Sequence, residues 1–285
     1  MKKAIILAAG KGTRMKSIHP KVVHQVCGKA MVNHVIDAAR SAGVGETVVV
    51  LGHGIDEVRA TVGEDVKIAV QAEQLGTGHA VMMADEYMGL DDTIMVLCGD
   101  TPLIEADTLE KFFAFHDEGG YAVSVLTTAV DDPRGYGRII RDDQDRLLRI
   151  VEQKDANDQE RAVKEINSGI YCFNGKYLKE SLAKVDNNNA QGEYYLPDTI
   201  EKLIIIVNEI LPFREWKCYL GRCGKNVSDV EDGILVWGRK DSQVLISVSY
   251  EYKRDKDTFK KIRTIVNKDD DWHEKIEAHP YLYFI

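Results

Sequence analysis

The sequence predicts an α/β protein, built on a doubly wound, mostly parallel sheet with a smaller mixed subregion and a C-terminal segment of unassigned fold. Three observations predict it. Apolar runs bounded by glycine and acidic turn residues recur as AIILAAG, ETVVVLGH, VKIAVQ, TIMVLCGD and YAVSVLTTAV. The segments between them carry helical spacing, the pattern of βαβ units. The runs are continuous rather than alternating, so both faces of the sheet must be covered by helices.

Taken in order, the first run ends in the small residues Leu7, Ala8, Ala9 and Gly10. Between the first and second runs, MVNHVIDAAR places apolar residues on one helical face and stops at Gly43, an amphipathic helix with a glycine terminator. The third, fourth and fifth runs repeat the strand pattern, and ligands in such sheets lie at the carboxyl ends of the strands. From Arg138 the pattern shortens to GRIIRD, RLLRIVEQKDA and EINSGIYCFNG, expected as shorter strands of the mixed subregion. NNNAQGEYYLPDTI follows as a polar, turn-rich loop leading into an apolar helix. Beyond about Glu201 come LIIIVNEIL, FREWKCYLGRCGKN and the alternating ILVWGRKDSQVLISVSYEY. Trp216, Trp237 and Trp272 all fall there, so this segment is expected to fold. The boundary is placed at 202, with 1–202 as one domain and 203–285 unassigned.

With 285 residues, 44% of them hydrophobic, the chain can bury a large core. A formal charge of −9 argues against nucleic-acid and anionic-membrane partners, whose surfaces repel an acidic protein. No apolar stretch approaches the roughly 18 to 20 residues that cross a bilayer, and the start MKKAIILAAG is too short and glycine-broken for a signal peptide. Five scattered cysteines, an odd number, fit a reducing compartment, and the expected location is cytoplasmic.

The chemistry concentrates in the opening loop. After Leu7 to Gly10 comes Lys11-Gly12-Thr13-Arg14, small residues that let backbone approach a ligand, with two cations beside them. Alone, this fits either an ordinary βα turn or a nucleotide seat. The dinucleotide fingerprint fails, because Met15 stands where its third glycine belongs, and no Walker A lysine follows at the required spacing. Lys21, after Pro20, adds a further cation near the same mouth. Asp100 ends the fourth strand with no lysine nearby to explain it as a salt-bridge partner, which leaves a metal ligand or a helix N-cap.

LAAGKGTRM with Pro20-Lys21 resembles the signature of sugar-phosphate nucleotidyltransferases. QAEQLGTGHA from Gln71, LCGDTPL from Leu97, GYGRI from Gly135, IVEQKD from Ile150, EINSG from Glu165 and NNNAQGEYY from Asn187 then follow in order. Together they resemble the uridylyltransferase domain of the bacterial GlmU family, over residues 1 to about 200. The resemblance implies a Rossmann-like nucleotidyltransferase fold and a reaction of UTP with N-acetylglucosamine 1-phosphate, giving UDP-N-acetylglucosamine for cell-wall (peptidoglycan) precursors and pyrophosphate. It also implies Mg²⁺.

By the same resemblance Arg14 and Lys21 contact the reacting phosphates as the catalytic cations, and Leu7, Ala8, Ala9 and Gly10 seat the uridine. Gln71, Gly76 and Thr77 read the uracil. Cys98, Gly99 and Asp100 contact substrate, with Asp100 also the metal ligand, while Gly137, Glu152 and Asn167 hold the sugar and Tyr195 closes that side. Two departures stand out. No hexapeptide repeats are present, so the family's acetyltransferase domain is not expected and its trimer is in doubt, leaving the oligomeric state open. The family's second metal-ligating asparagine motif is missing, and Asn226 in GKNVSD is the candidate in its place. Cys218 and Cys223 form a lone C-x₄-C pair, a weak zinc signal. The alternatives are a relative acting on another sugar 1-phosphate and a non-catalytic nucleotide-sugar-binding protein.

Overall fold

The computed structural model describes residues 1–12, 15–141 and 147–203, and the backbone of four strands within 216–284. Arg14, Asn226 and Cys223, and the side chain of Cys218, lie outside the described residues. The chain divides into two compact units, Met1–Asp117 with Gly169–Lys202, and Glu118–Ser168 with Leu203–Ile285.

The first unit carries the expected parallel sheet. Strand β1 (Lys2–Ala8) is followed by the two-residue strands β2 (Gln25–Val26) and β3 (Lys29–Ala30), a small hairpin the sequence did not announce. Its turn residues, Cys27 and Gly28, both have positive φ, 52° and 82°, the geometry that suits the twist of a two-residue hairpin. Helix α1 (Met31–Ser41) buries Met31, Val32, Val35, Ile36 and Ala39, the face given by its spacing. It ends where Gly43, at φ 83°, donates to Arg40 O while Val44 donates to Ala39 O.

Strand β4 (Glu46–Leu51), helix α2 (Ile55–Thr61), strand β5 (Lys67–Val70), helix α3 (Thr77–Met82), strand β6 (Thr93–Cys98) and helix α4 (Ala106–Gly119) complete the alternation. β1 pairs parallel with both β4 and β6, and β5 pairs parallel with β4. Ile5, Ile6, Val48, Val49, Val50 and Ile94 to Leu97 are at most 1% exposed, so the continuous apolar runs are buried on both faces. Each such side chain contributes on the order of 1.5–3 kcal/mol relative to leaving it in water.

In the second unit, strand β7 (Tyr121–Ala129) is followed by strands β8 (Arg138–Arg141) and β9 (Leu147–Val151), an antiparallel pair. Helix α5 (Asp158–Arg161) starts with a capping box between Asn157 and Glu160. Strand β10 (Glu165–Asn174), ten residues long, is longer than the short strand expected across the main unit. Its start pairs with β8 at Ile166↔Arg138, but its second half enters the first unit antiparallel to β6, Tyr171 opposite Val96. Helix α6 (Gly175–Leu182) then begins at an Asn174 cap, and 198–203 are helical. Strands β11 (Trp216–Arg222), β12 (Gly233–Arg239), β13 (Leu245–Tyr250) and β14 (Leu282–Phe284) belong to the second unit. β13 pairs parallel with β7, and β12, β11 and β14 follow outward in antiparallel succession.

Candidate active site

A cleft of about 760 Å³ opens in the first unit at the carboxyl ends of β1 and β6. It is lined by Leu7, Ala8, Ala9, Gly10, Lys21, Gln71, Gly76, Thr77, Cys98 and Asp100, most of the residues the sequence nominated. The parallel order dictates this placement: adjacent parallel strands end on the same edge, so the loops after β1 and β6 share one mouth.

The loop after β1 keeps its backbone donors available. Leu7 O accepts from Gly99 N and Ala9 O from His53 N, which ties the strand ends together. The N–H groups of Gly10, Lys11 and Gly12 donate to no described residue. A Cβ at Gly10 would meet nothing within 4 Å, so the backbone there faces open cleft. Gly12, at φ 59°, passes so close to Lys21 that a Cβ would lie 2.7 Å from that residue's own Cβ. This close approach had no signal at Gly12 beyond the glycine spacing.

Lys21 sits in a 3-10 turn at Lys21–Val23, anchored by the buried Val22. Pro20, which opens the turn, packs against Gly54, where a Cβ would come within 2.3 Å of the proline ring. Lys21 Nζ donates to Asp100 Oδ2 at 2.5 Å, with both side chains about 33% exposed. This corrects the expectation that Asp100 lacks a lysine partner. The partner is 79 residues away in sequence, and only the shared strand edge brings the two together. The N-cap alternative for Asp100 also fails, since α4 begins at Ala106. A pair this hydrated contributes about 0–1 kcal/mol to stability. Asp100 Oδ1 has no partner among the described residues.

Cys98 reaches the cleft with part of its surface, yet its sulfur is desolvated and donates to Gly169 O at 3.7 Å. That desolvation and the Asp100 carboxylate push the thiol up to about 12, so it is a neutral packing group. Gly99 lies off the lining; its amide is the one that joins β6 to β1 through Leu7 O.

The opposite wall is neutral apart from the Glu193 carboxylate beside Gly76. Gln71 is 3% exposed, and its Nε2 donates to Gly76 O at 2.9 Å and approaches His79 Nδ1 at 3.1 Å. Gln74 Nε2 donates to Gln71 O. Gly76 has φ 111°, and a Cβ there would stand 2.4 Å from Tyr194 O. Thr77 Oγ1 accepts from Leu196 N and Gly78 N donates to Tyr194 O, so this wall is clamped to the segment before the last helix. Tyr195 is 6% exposed, with Gln191 Nε2 2.6 Å from its hydroxyl, and lies off the lining. Gln74, His79 and Glu193 were missed as individual residues, although all three stand inside the quoted motifs.

In the second unit, Gly137, Glu152 and Asn167 converge at the ends of β8, β9 and β10. Asn167 N donates to Gly137 O, and a Cβ on Gly137 would lie 3.2 Å from Glu152 Oε1. Arg138, 1% exposed, braces the set from beneath by donating to Tyr136 O and to Gln153 Oε1. Burial pulls the Arg138 guanidinium down from its usual value, against the pull of Glu152 and Asp132.

Among the described residues no group of three or more His, Cys, Asp or Glu side chains could hold a metal unaided. The two carboxylates on the cleft lining, Asp100 and Glu193, are too few for a closed site and suit a hard ion that brings most of its oxygen ligands with the substrate.

A parallel α/β sheet with loop amides that have no partner among the described residues, beside a cation and a carboxylate at one strand edge, defines a nucleotide-handling protein. The family model for nucleotidyl transferases matches residues 3–215, and the chain belongs to that family. It is 64% identical over 197 residues to the bifunctional protein GlmU of Clostridioides difficile, covering 69% of this chain and 43% of that protein. It is 57% identical over 198 residues to the GlmU of Alkaliphilus metalliredigens, covering 70% and 43%. The chain thus spans less than half the length of these relatives. A UDP-glucose pyrophosphorylase solved with UDP-glucose superposes with a TM-score of 0.59 at 18% identity, covering 70% of this chain and 86% of the other. The apo form of a UDP-glucose pyrophosphorylase gives 0.58 at the same identity and the same coverage, a likeness of fold. No helix among the described residues is long and apolar enough to cross a membrane.

Proposed function

We propose that this chain is a uridylyltransferase that joins UTP and N-acetylglucosamine 1-phosphate to give UDP-N-acetylglucosamine and pyrophosphate. The observation that carries this reading is a single cleft holding the free amides of Gly10 to Gly12, the Lys21–Asp100 pair and the amide of Gln71. In the reaction a phosphate oxygen of the sugar phosphate attacks the α-phosphorus of UTP. A new P–O bond forms as the bond to the β-phosphate oxygen breaks, and the electron pair leaves with pyrophosphate.

Such transfers need positioning and charge neutralisation more than covalent help. Lys21 supplies a cation to the phosphates once a ligand draws it from Asp100, and Arg14 is assigned a second. Leu7, Ala8, Ala9 and Gly10 seat the nucleoside, with Cys98 and Gly99 shaping the floor. Gln71, Gly76 and Thr77 face the base. Asp100, through its unpartnered Oδ1, and Asn226 are the residues assigned to Mg²⁺, which when bound offsets charge on the phosphates. Gly137, Glu152 and Asn167 are assigned to the sugar hydroxyls and N-acetyl group, and Tyr195 supports the segment beside Gly76.

The catalytic domain is assigned to 1–202, with 203–285 as a separate segment, and the location to the cytoplasm. The test is pyrophosphate release from UTP and N-acetylglucosamine 1-phosphate with Mg²⁺, run beside Asn226→Ala. A parent that binds UTP but releases no pyrophosphate sinks the enzyme reading. An Asn226→Ala variant as active as the parent removes that residue from the metal site.

A further inference from the structure

Gln71 is the buried amide of the neutral wall, and both positions on its Nε2 have a facing partner. Gly76 O can only accept, so the amide atom facing it at 2.9 Å is Nε2. The same nitrogen stands 3.1 Å from His79 Nδ1. With one N–H given to Gly76, the second is the proton available to His79, and an Nδ1 carrying its own proton would set N–H against N–H. His79 is therefore an acceptor at Nδ1, with its proton on Nε2. The ring is held in this pose by Tyr194, whose ring centroid lies 6.2 Å away at a tilt of 36°. Gln71 Oε1 is left without a donor among the described residues, on a side chain that lines the cleft.

We infer that His79 is a positioning residue for nucleotide selectivity: by taking the second Nε2 proton it holds Gln71 so that the cleft meets an acceptor and never a donor. This rests on the uridylyl reading above and deepens it. Uracil carries N–H at N3 and satisfies Oε1. Cytosine carries a lone pair at N3, which meets the lone pairs of Oε1 and is left unpaired. Without His79 the amide is held in this orientation by Gly76 O alone, so it turns more readily to offer Nε2 to cytosine and the distinction weakens.

The experiment measures calorimetric Kd values for UTP and CTP with the full chain, for the parent, His79→Phe and His79→Asn. The parent should prefer UTP. In His79→Phe, which keeps a ring but removes the acceptor, the UTP:CTP preference should fall roughly tenfold, the worth of about one hydrogen bond. His79→Asn, whose Oδ1 can replace Nδ1 as acceptor, should restore most of it. A purely packing role would weaken both nucleotides together and leave the ratio unchanged, which overturns the inference. A parent with no preference for UTP overturns the uridylyl reading itself. Independently of any variant, ¹⁵N spectra of the histidine-labelled parent should show His79 Nδ1 unprotonated at neutral pH; a protonated Nδ1 overturns the inference outright.

Discussion

The two walls of the cleft solve different problems by opposite means. On one, Lys21 and Asp100 are each about a third exposed and hold one another across a hydrated contact. On the other, Gln71 is 3% exposed and both protons of its amide face fixed acceptors. Phosphates bring charge that changes during the reaction, so the charged wall must be able to exchange partners. A base brings a fixed edge of donors and acceptors, so the neutral wall gains by being set in advance. The contrast teaches that mobility of partners and rigidity of partners can sit in one cavity, each matched to the part of the ligand it faces.

The charged wall should show large effects on rate and small ones on stability. Asp100→Ala is expected to lower pyrophosphate release by at least about 10²-fold, typical of losing a group that acts on developing charge, with UTP binding retained. Retention of activity within tenfold would break the assignment. Lys21→Ala should cost about 10²-fold in kcat/KM while the unfolding free energy moves by no more than about 1 kcal/mol, because the pair is hydrated. A large drop in thermal stability would mean that the contact is structural after all.

The neutral wall should show the reverse. Gly76→Ala forces a side chain onto φ 111° and against Tyr194 O, and should cost about 1–3 kcal/mol of stability by chemical denaturation. Gly10→Ala, at a position with open space, should leave stability nearly unchanged and weaken UTP binding instead. If the two alanine variants behave alike, the distinction between the walls is not a matter of packing.

The smallest effect is chemical. With its thiol pushed up to about 12, Cys98 holds only about 10⁻⁴ of its population as thiolate at pH 8. Alkylation mapped by mass spectrometry should therefore label the exposed Cys27 and spare Cys98, despite the latter's place on the cleft. Rapid labelling of Cys98 at pH 8 would show that its sulfur is not desolvated.

The parallel strands were legible because burial on both faces leaves a local trace, a run of apolar residues with no polar alternation. The opening loop was legible for a similar reason, since its glycines and cations are contiguous. What could not be read are features that depend on distant partners. The Lys21–Asp100 pair joins two loops 79 residues apart, and the reasoning that Asp100 stood alone failed there. Pro20 against Gly54 is another such pairing. β10 was legible as a strand, but its partner was not, because only pairing with β6 fixes where its second half lies. Arg138 lies in the GYGRI segment, but its burial goes with its place in the sheet, paired with Val151 of β9 and Ile166 of β10, which its neighbours in sequence do not reveal.

That split use of β10 has a consequence for how the chain comes off the ribosome. Until Gly169 to Asn174 have been made, β6 is an apolar strand with β1 on one side and no β10 on the other. The whole of 118–168 must emerge while that edge stands open to any passing strand. Conditions that slow synthesis through this stretch should raise the yield of aggregates more than equal delays before β6 or after β10. The insertion thus sets a window of vulnerability in the life of each new molecule, one that closes when the antiparallel strand arrives.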